Sequence, residues 1–448
     1  MSFNIFLSGG FAPRTPSTLT RGDPNAPLRS RDSLARLARF LSDVSRPARF
    51  PDGIMRSLTI LARVAFVVTA IAAAVPAAAQ EHQHPASPAG PGWHWSREAR
   101  VFLGANLQVR KFTDFRQAES QNWFMVSGVR DAGRGRLMLH SMLSLEPLTL
   151  RRLGSAQAFQ TGETYDGAPL IDYQHPHDLF MALEFRYERT AGQHGRLWFS
   201  GAPVGAATVG PTAFMHRASA RIQPTAPLSH HQLDSTHISR SVLSAGIASG
   251  PVSVEVSTFK GREPDENRWD LDLGVPDSWA ARVQWDYGRW SAQFSGGRLT
   301  APETVEPFLN VVKLTASIAF EGIARKRTFA FTLAAGRNRE FYGDLDGALA
   351  EASIALPRAL HAYVRAEVTD KNILTAGGLH PPGFTHPHVF STVGAFTAGL
   401  TRELIRRGAG DLAAGADVTA HFVPANLRDS YGTRPYSVHL FLRWSARR

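Results

Sequence analysis

The chain has 448 residues, 43% of them hydrophobic and 19% charged, with 38 Gly and no Cys. The lack of Cys excludes a disulfide framework, a thiolate metal centre and a cysteine nucleophile. Of the formal charge of +11, +4 falls in residues 1–54 and +2 in residues 55–79, leaving +5 for the 369 residues from Gln80. That remainder has no Lys/Arg run and no basic helix, so nucleic acid is not an expected partner.

Residues 1–54 are rich in Arg, Pro and Ser and show no apolar period. They are read as a disordered extension or an over-long start. Met55 opens a basic stretch ending at Arg63, and Val64 to Ala79 is then an unbroken apolar run of 16 residues. A spanning helix needs about 20. Ala77 and Ala79 supply small residues at −3 and −1, so residues 55–79 are expected to be a cleaved signal peptide. Residues 80–98 are expected to be a flexible His/Pro-rich tail, and all 17 His follow residue 81.

From Ala99 the apolar period becomes two. Ala99, Val101, Leu103, Ala105, Leu107 and Val109 alternate with Arg100, Asn106, Gln108 and Arg110, and Ala281, Val283, Trp285 and Tyr287 with Arg282, Gln284 and Asp286. Period two over 8–12 residues predicts strands with one apolar and one polar face. Sixteen segments follow: 99–110, 121–130, 135–145, 179–189, 195–202, 241–248, 252–260, 279–287, 290–299, 309–321, 327–337, 348–356, 360–369, 389–402, 410–422 and 435–444. Odd-numbered connections between them run from 9 to 38 residues and even-numbered ones from 2 to 7.

Short turns on one rim and long loops on the other are the pattern of a transmembrane barrel. A closed barrel is the way a sheet spans lipid, because open edges leave backbone groups unpaired. The fold expected for residues 99–445 is therefore all-β: a closed antiparallel transmembrane β-barrel of about 14–16 strands, long loops outermost. The expected address is the outer membrane of a Gram-negative bacterium. Charges within strands fall on the face opposite the apolar one: Glu184, Arg186, Glu255, Lys313, Glu351, Arg365, Glu367 and Asp417. A wet lumen hydrates such side chains, whereas a lipid-facing Arg or Lys costs about 2–4 kcal/mol.

The chemistry gathers in the long loops, which hold nine of the 17 His. Arg262, Glu263, Asp265, Glu266, Arg268 and Asp270 interleave opposite charges and are candidates, with Arg365 and Glu367, for a constriction ring. His175 with His177, and His386 with His388, flank a Pro at i, i+2 spacing and can each offer two imidazoles to one ion, Asp178 adding a third ligand. Cleavage after Ala79 would leave Gln80, Glu81 and His82 at the N-terminus. Its amine, two amide nitrogens and an imidazole suit Cu(II) or Ni(II). Cu and Zn are the candidate metals. Asp234, Ser235 and His237 supply hydrolase residue types, but a triad is recognised by geometry and not by adjacency.

The strings AFMHR, HHxxDSTHIS, GREPDENRWD, QTGETYDGAPLIDYQHPHDLF and YGTRPYSVHLFLRW stand between Gln160 and Trp444, and the likeness they carry extends over roughly Glu98 to Trp444. In them the sequence resembles a family of uncharacterised proteobacterial outer-membrane β-barrel proteins, often found near copper and heavy-metal resistance systems. The resemblance implies a barrel and an outer-membrane address. The functional expectation is a porin-like channel for small solutes or ions, with a link to copper handling as the resemblance implies. A barrel hydrolase and a plugged structural barrel remain the alternatives.

Overall fold

The computed structural model describes residues 92–110, 114–324, 327–374, 389–407 and 410–446. The expected extension at 1–54, the signal peptide at 55–79 and most of the tail lie outside them. The strands are β1 (His94–Val109), β2 (Asp114–Glu119), β3 (Asn122–Ala132), β4 (Gly135–Leu143), β5 (Ser155–Tyr165), β6 (Ala168–Gln174) and β7 (Phe180–Ala191). They continue as β8 (Gly195–Gly205), β9 (Ser239–Ser249), β10 (Val252–Lys260), β11 (Ser278–Tyr287), β12 (Trp290–Thr300) and β13 (Asn310–Ala324). The last six are β14 (Arg327–Glu340), β15 (Gly343–Leu356), β16 (Leu360–Lys371), β17 (Ser391–Arg407), β18 (Gly410–Phe422) and β19 (Tyr436–Ala446).

All but β5 and β6 join one antiparallel sheet, closed by β1 against β19 with Arg100 opposite Ser445 and Val109 opposite Tyr436. β2 pairs with the second half of β1 and β3 with its first half, so the two act as one barrel strand broken at Ser120 and Gln121. The circumference is therefore sixteen strands. Each of the sixteen expected segments corresponds to one of them. Gly250 and Gly288 open short turns at φ 57° and 61°, a left-handed backbone that suits a two-residue hairpin.

Several boundaries differ from expectation, and two of the differences have a local cause. The barrel begins at His94 and not at Ala99: residues 94–98 pair with β3, with His94 opposite Val129. Trp95 explains the gain, since a Cβ on Gly128 would lie 2.6 Å from its ring; the glycine leaves room for the indole on the neighbouring strand. The connection expected at 338–347 is strand, and β14 and β15 meet at Phe341 and Tyr342. The alternation fades there because the hairpin rises above the lipid and both of its faces are wet. Arg337 instead pairs with Asp344 at 3.2 Å and with Asp346 at 2.6 Å.

Elsewhere the alternation holds. Along β16, Tyr363, Arg365 and Glu367 are buried while Val364 is exposed. Along β19, Leu440 and Leu442 are exposed while His439 and Arg443 are buried. Exposed Trp279 and Tyr436 stand at the long-loop end, and exposed Trp95, Trp285 and Tyr287 at the short-turn end, the places of interfacial aromatics. A closed sixteen-stranded barrel with this outward apolar band is an outer-membrane barrel of a Gram-negative cell.

The lumen as candidate functional site

Two long connections turn back into the barrel. The first, between β4 and β7, carries the β5–β6 hairpin, whose turn at Asp166 and Gly167 has φ of 53° and 71°. The hairpin lies against the wall: Asn106 Nδ2 donates to Ala156 O at 2.7 Å, and Ala158 N donates to Gln108 Oε1 at 3.2 Å. Lys371 Nζ on β16 donates to Gln160 Oε1 and Thr161 Oγ1, both at 3.3 Å, so the hairpin bridges distant parts of the wall.

The second connection, residues 206–238, crosses the lumen. Thr208 N donates to Ser257 Oγ on β10 at 2.9 Å and Gly210 N to Ser295 Oγ on β12 at 2.8 Å. Lys313 Nζ on β13 donates to His231 O at 2.8 Å and Ser235 Oγ at 2.6 Å. On β16, Arg365 donates to Thr225 O at 3.0 Å, and Glu367 accepts from Ser229 N at 3.2 Å and Ser229 Oγ at 3.1 Å.

A buried charge network sits at the centre. Arg217 donates through Nε to Glu351 Oε1 at 2.6 Å and through Nη1 to Asp234 Oδ2 at 2.7 Å. Arg365 Nε reaches Glu351 Oε2 at 3.1 Å, and His230 Nδ1 lies 2.8 Å from Asp234 Oδ1. None of these side chains is more than 3% exposed. Charges this deep persist only when paired. Burial pushes the Asp234 carboxyl up, and Arg217 and His230 pull it down by more, so it stays well below the ordinary carboxylate range.

Arg365 and Glu367 thus face the lumen as their alternation indicates, but the crossing segment covers them and they do not line open water. Residues 262–270 do not form a ring. Glu263 and Arg268 turn inward and Arg262 is half-buried, while Asp265, Glu266 and Asp270 are exposed. Two of the outward acids hold their own loop and the third reaches the β5–β6 turn: Asn267 N donates to Asp265 Oδ1 at 2.6 Å, Asn267 Nδ2 to Asp270 Oδ2 at 2.7 Å, and Gly167 N to Glu266 Oε1 at 3.4 Å. Arg268 pairs with Glu163 and, at 3.1 Å, with Asp178.

His175 and His177 turn to different carboxylates. His175 Nε2 lies 3.0 Å from Glu163 and His177 Nδ1 lies 2.9 Å from Glu146, while Asp178 is taken by Arg240 and Arg268. The three are therefore not brought to one point. His82, His386 and His388 lie outside the described residues. Asp234, Ser235 and His237 are not linked as a relay: the Ser235 hydroxyl accepts from Lys313, and His237 Nδ1 bonds the Asp234 backbone oxygen at 2.8 Å.

The roles of Arg217, His230, His231, Glu303 and Glu351 in this site were not legible from sequence. The i, i+4 spacing of His230 and Asp234 was the one local signal. His230 and His231, with His175, His177 and His237, line a cleft of 20 Å³. Burial, followed by the neighbouring His230, holds the His231 and His237 imidazoles well below their usual value.

Two larger cavities flank the crossing segment. The one on the short-turn side has 630 Å³ and is lined by six arginines, among them Arg186, Arg196 and Arg282, against four carboxylates. The one on the long-loop side has 90 Å³ and is lined by five glutamates against Lys313 and Lys371. Burial, then repulsion by Glu163 and Glu306, holds the Glu303 carboxyl up at about 7.

No family model and no curated protein matches the sequence. Among solved structures, an anion-selective porin from Comamonas acidovorans is 9% identical, with a TM-score of 0.48 over 79% of this chain and 100% of that one. OmpF of Salmonella typhi, solved with daunomycin, is 7% identical, with a TM-score of 0.47 over 78% of this chain and 97% of that one. The outer-membrane channel DcaP of Acinetobacter baumannii is 10% identical, with a TM-score of 0.47 over 79% and 97%.

Proposed function

We propose that the protein is a porin-like channel for small hydrophilic solutes or ions, narrowed at its waist by residues 206–238. The observation that carries this reading is the polar inner wall, which opens into the 630 Å³ cavity on the short-turn side. Barrels of sixteen strands are wide enough for an aqueous path unless loops fill them. Here the crossing segment sets the width, held to β10, β12, β13, β15 and β16 by hydrogen bonds and ion pairs and packed against the wall by apolar residues such as Val209 and Leu233. The charged walls on either side bear opposite net sign, which favours passage of small charged or dipolar solutes over bulky apolar ones.

The test is single-channel recording of the purified protein in planar bilayers, beside a variant with residues 212–227 replaced by a short Gly/Ser linker. Small steps in the native protein and severalfold larger ones in the variant support a constricted channel. Silence in the native protein with large steps in the variant identifies a plugged barrel. Silence in both, with folding verified by heat-modifiable migration, overturns the channel.

A further inference from the structure

We infer that His231, Glu263 and Glu303 form a binding site for a divalent transition-metal ion in the long-loop cavity, joining three separate connections of the barrel. His231 comes from the crossing segment 206–238, Glu263 from the connection between β10 and β11, and Glu303 from that between β12 and β13. One ligand atom from each lies within 4.8 Å of the other two. His231 Nδ1 is 3.7 Å from Glu263 Oε1. Two ligands about 2.1 Å from a tetrahedral ion stand about 3.4 Å apart, so the pair needs little adjustment.

The orientation of the His231 ring is set by its packing. A Cβ on Gly162 would lie 1.9 Å from His231 Nε2, so that nitrogen rests against glycine backbone and Nδ1 faces the carboxylates. Two further atoms point to a missing partner. Glu263 Oε2 is buried with none, and so is Oδ1 of Asn338, a residue 8% exposed that lines the same cavity. Asn338 Nδ2 is held by His231 O at 3.2 Å, which leaves its carbonyl oxygen in the cavity wall. Once ionised, the five glutamates outnumber the two lysines and give the cavity the sign a cation requires.

The donor set names the class of ion. One imidazole with two carboxylates suits a borderline ion such as Zn²⁺, whereas Ca²⁺ and Mg²⁺ favour all-oxygen sites. By contrast, Asp265, Asp270 and Asp272 are also close together but carry no imidazole, and two of the three are exposed. Because the ligands belong to three connections, a bound ion would fasten the crossing segment to the wall. The site stands whether or not the barrel conducts.

The test is a calorimetric titration of the purified, detergent-folded protein with Zn²⁺, beside Glu263→Gln, Glu303→Gln and His231→Gln. All three positions lie on connections and leave the strand ladder intact; heat-modifiable migration verifies each variant. The expected result is one equivalent that weakens by roughly 10–100-fold in every variant. Zn²⁺ should also slow protease cleavage within 206–238 in the native protein and in none of the variants. Equivalents that the variants keep belong to other histidines. Titrations identical in all four proteins, or no uptake by the native one, overturn the site. If the Gln variants migrate as unfolded, Glu303→Asp, which shortens the ligand and keeps its charge, decides by the same loss of affinity.

Discussion

Arg217 Nε and Glu351 Oε1 meet at 2.6 Å, one on the segment that crosses the lumen and the other midway along β15. Neither side chain is more than 3% exposed. Removing one partner strands the other charge in a buried site, at a cost of about 3–5 kcal/mol. Arg217→Ala and Glu351→Gln should each unseat the segment while the barrel still shows heat-modifiable migration. Protease cleavage within 206–238 should accelerate, and the double variant should cost less than the two singles combined. Unchanged cleavage in both singles would place the fastening of the segment elsewhere.

The same network sets a pH limit. Asp234 is held below its ordinary 3.8, so its contribution is complete above that value and is lost as the pH falls below it. His231 and His237 on the same segment are held well below their ordinary 6.5, so release lets them take up protons. The crossing segment should therefore begin to loosen as the pH falls below about 6.5 and loosen further below about 4, where Asp234 is protonated. Protease-resistant fragments collected across a pH series, with an acid-active protease at the low end, report this. A segment equally seated from about pH 7 down to about pH 3 would mean that neither these histidines nor Asp234 controls it.

The two faces of β16 should respond differently. Val364 is 37% exposed and stands between Tyr363 and Arg365, both nearly fully buried. Val364→Arg places a charge against lipid at about 2–4 kcal/mol and should lower the yield of barrel assembled in lipid vesicles. Arg365→Ala removes a lumen partner of Glu351 and should leave assembly intact while altering channel steps or protease access. Equal assembly defects in the two would reverse the assignment of faces.

Since the chain has no Cys, single introduced cysteines report topology without background. A membrane-impermeant thiol reagent applied to intact cells should label cysteine at Phe341, which is 75% exposed, and at Glu266. It should miss Gly192 and Gly288 on the short-turn rim. It should also miss Met215, which belongs to a long connection but is 7% exposed inside the lumen. Labelling at Gly288 with none at Phe341 would invert the barrel.

The barrel strands were legible because lipid on one side and water on the other write period two into the sequence. That signal placed Val364 outward and Arg365 inward without any structure. It failed where one of the two media is missing. β5, with Gln157, Gln160 and Thr161, has no lipid face, and neither does the outer end of β14 around Asn338 and Arg339; both read as loop. The charges of the site were visible one by one, but their pairing was not. Nothing local ties Arg217 to Glu351 or Ser229 to Glu367, and the decapeptide at 261–270 looked like a ring because its split into inward and outward residues depends on neighbours far away in sequence.

That distance also bears on how the molecule is made. Arg217 and Glu351 are 134 residues apart, Ser229 and Glu367 are 138, and Thr225 and Arg365 are 140. Residues 206–238 are thus synthesised well before the strands that hold them. Contacts of such separation carry the loop-closure entropy that slows folding, whereas hairpins between successive strands form locally. The ladder can zip from neighbour to neighbour, but the crossing segment finds its partners only once β13 to β16 stand in place. Assembly on this view has two stages: a wide cylinder that already holds its place in the membrane, and a later settling of its contents that sets the final bore.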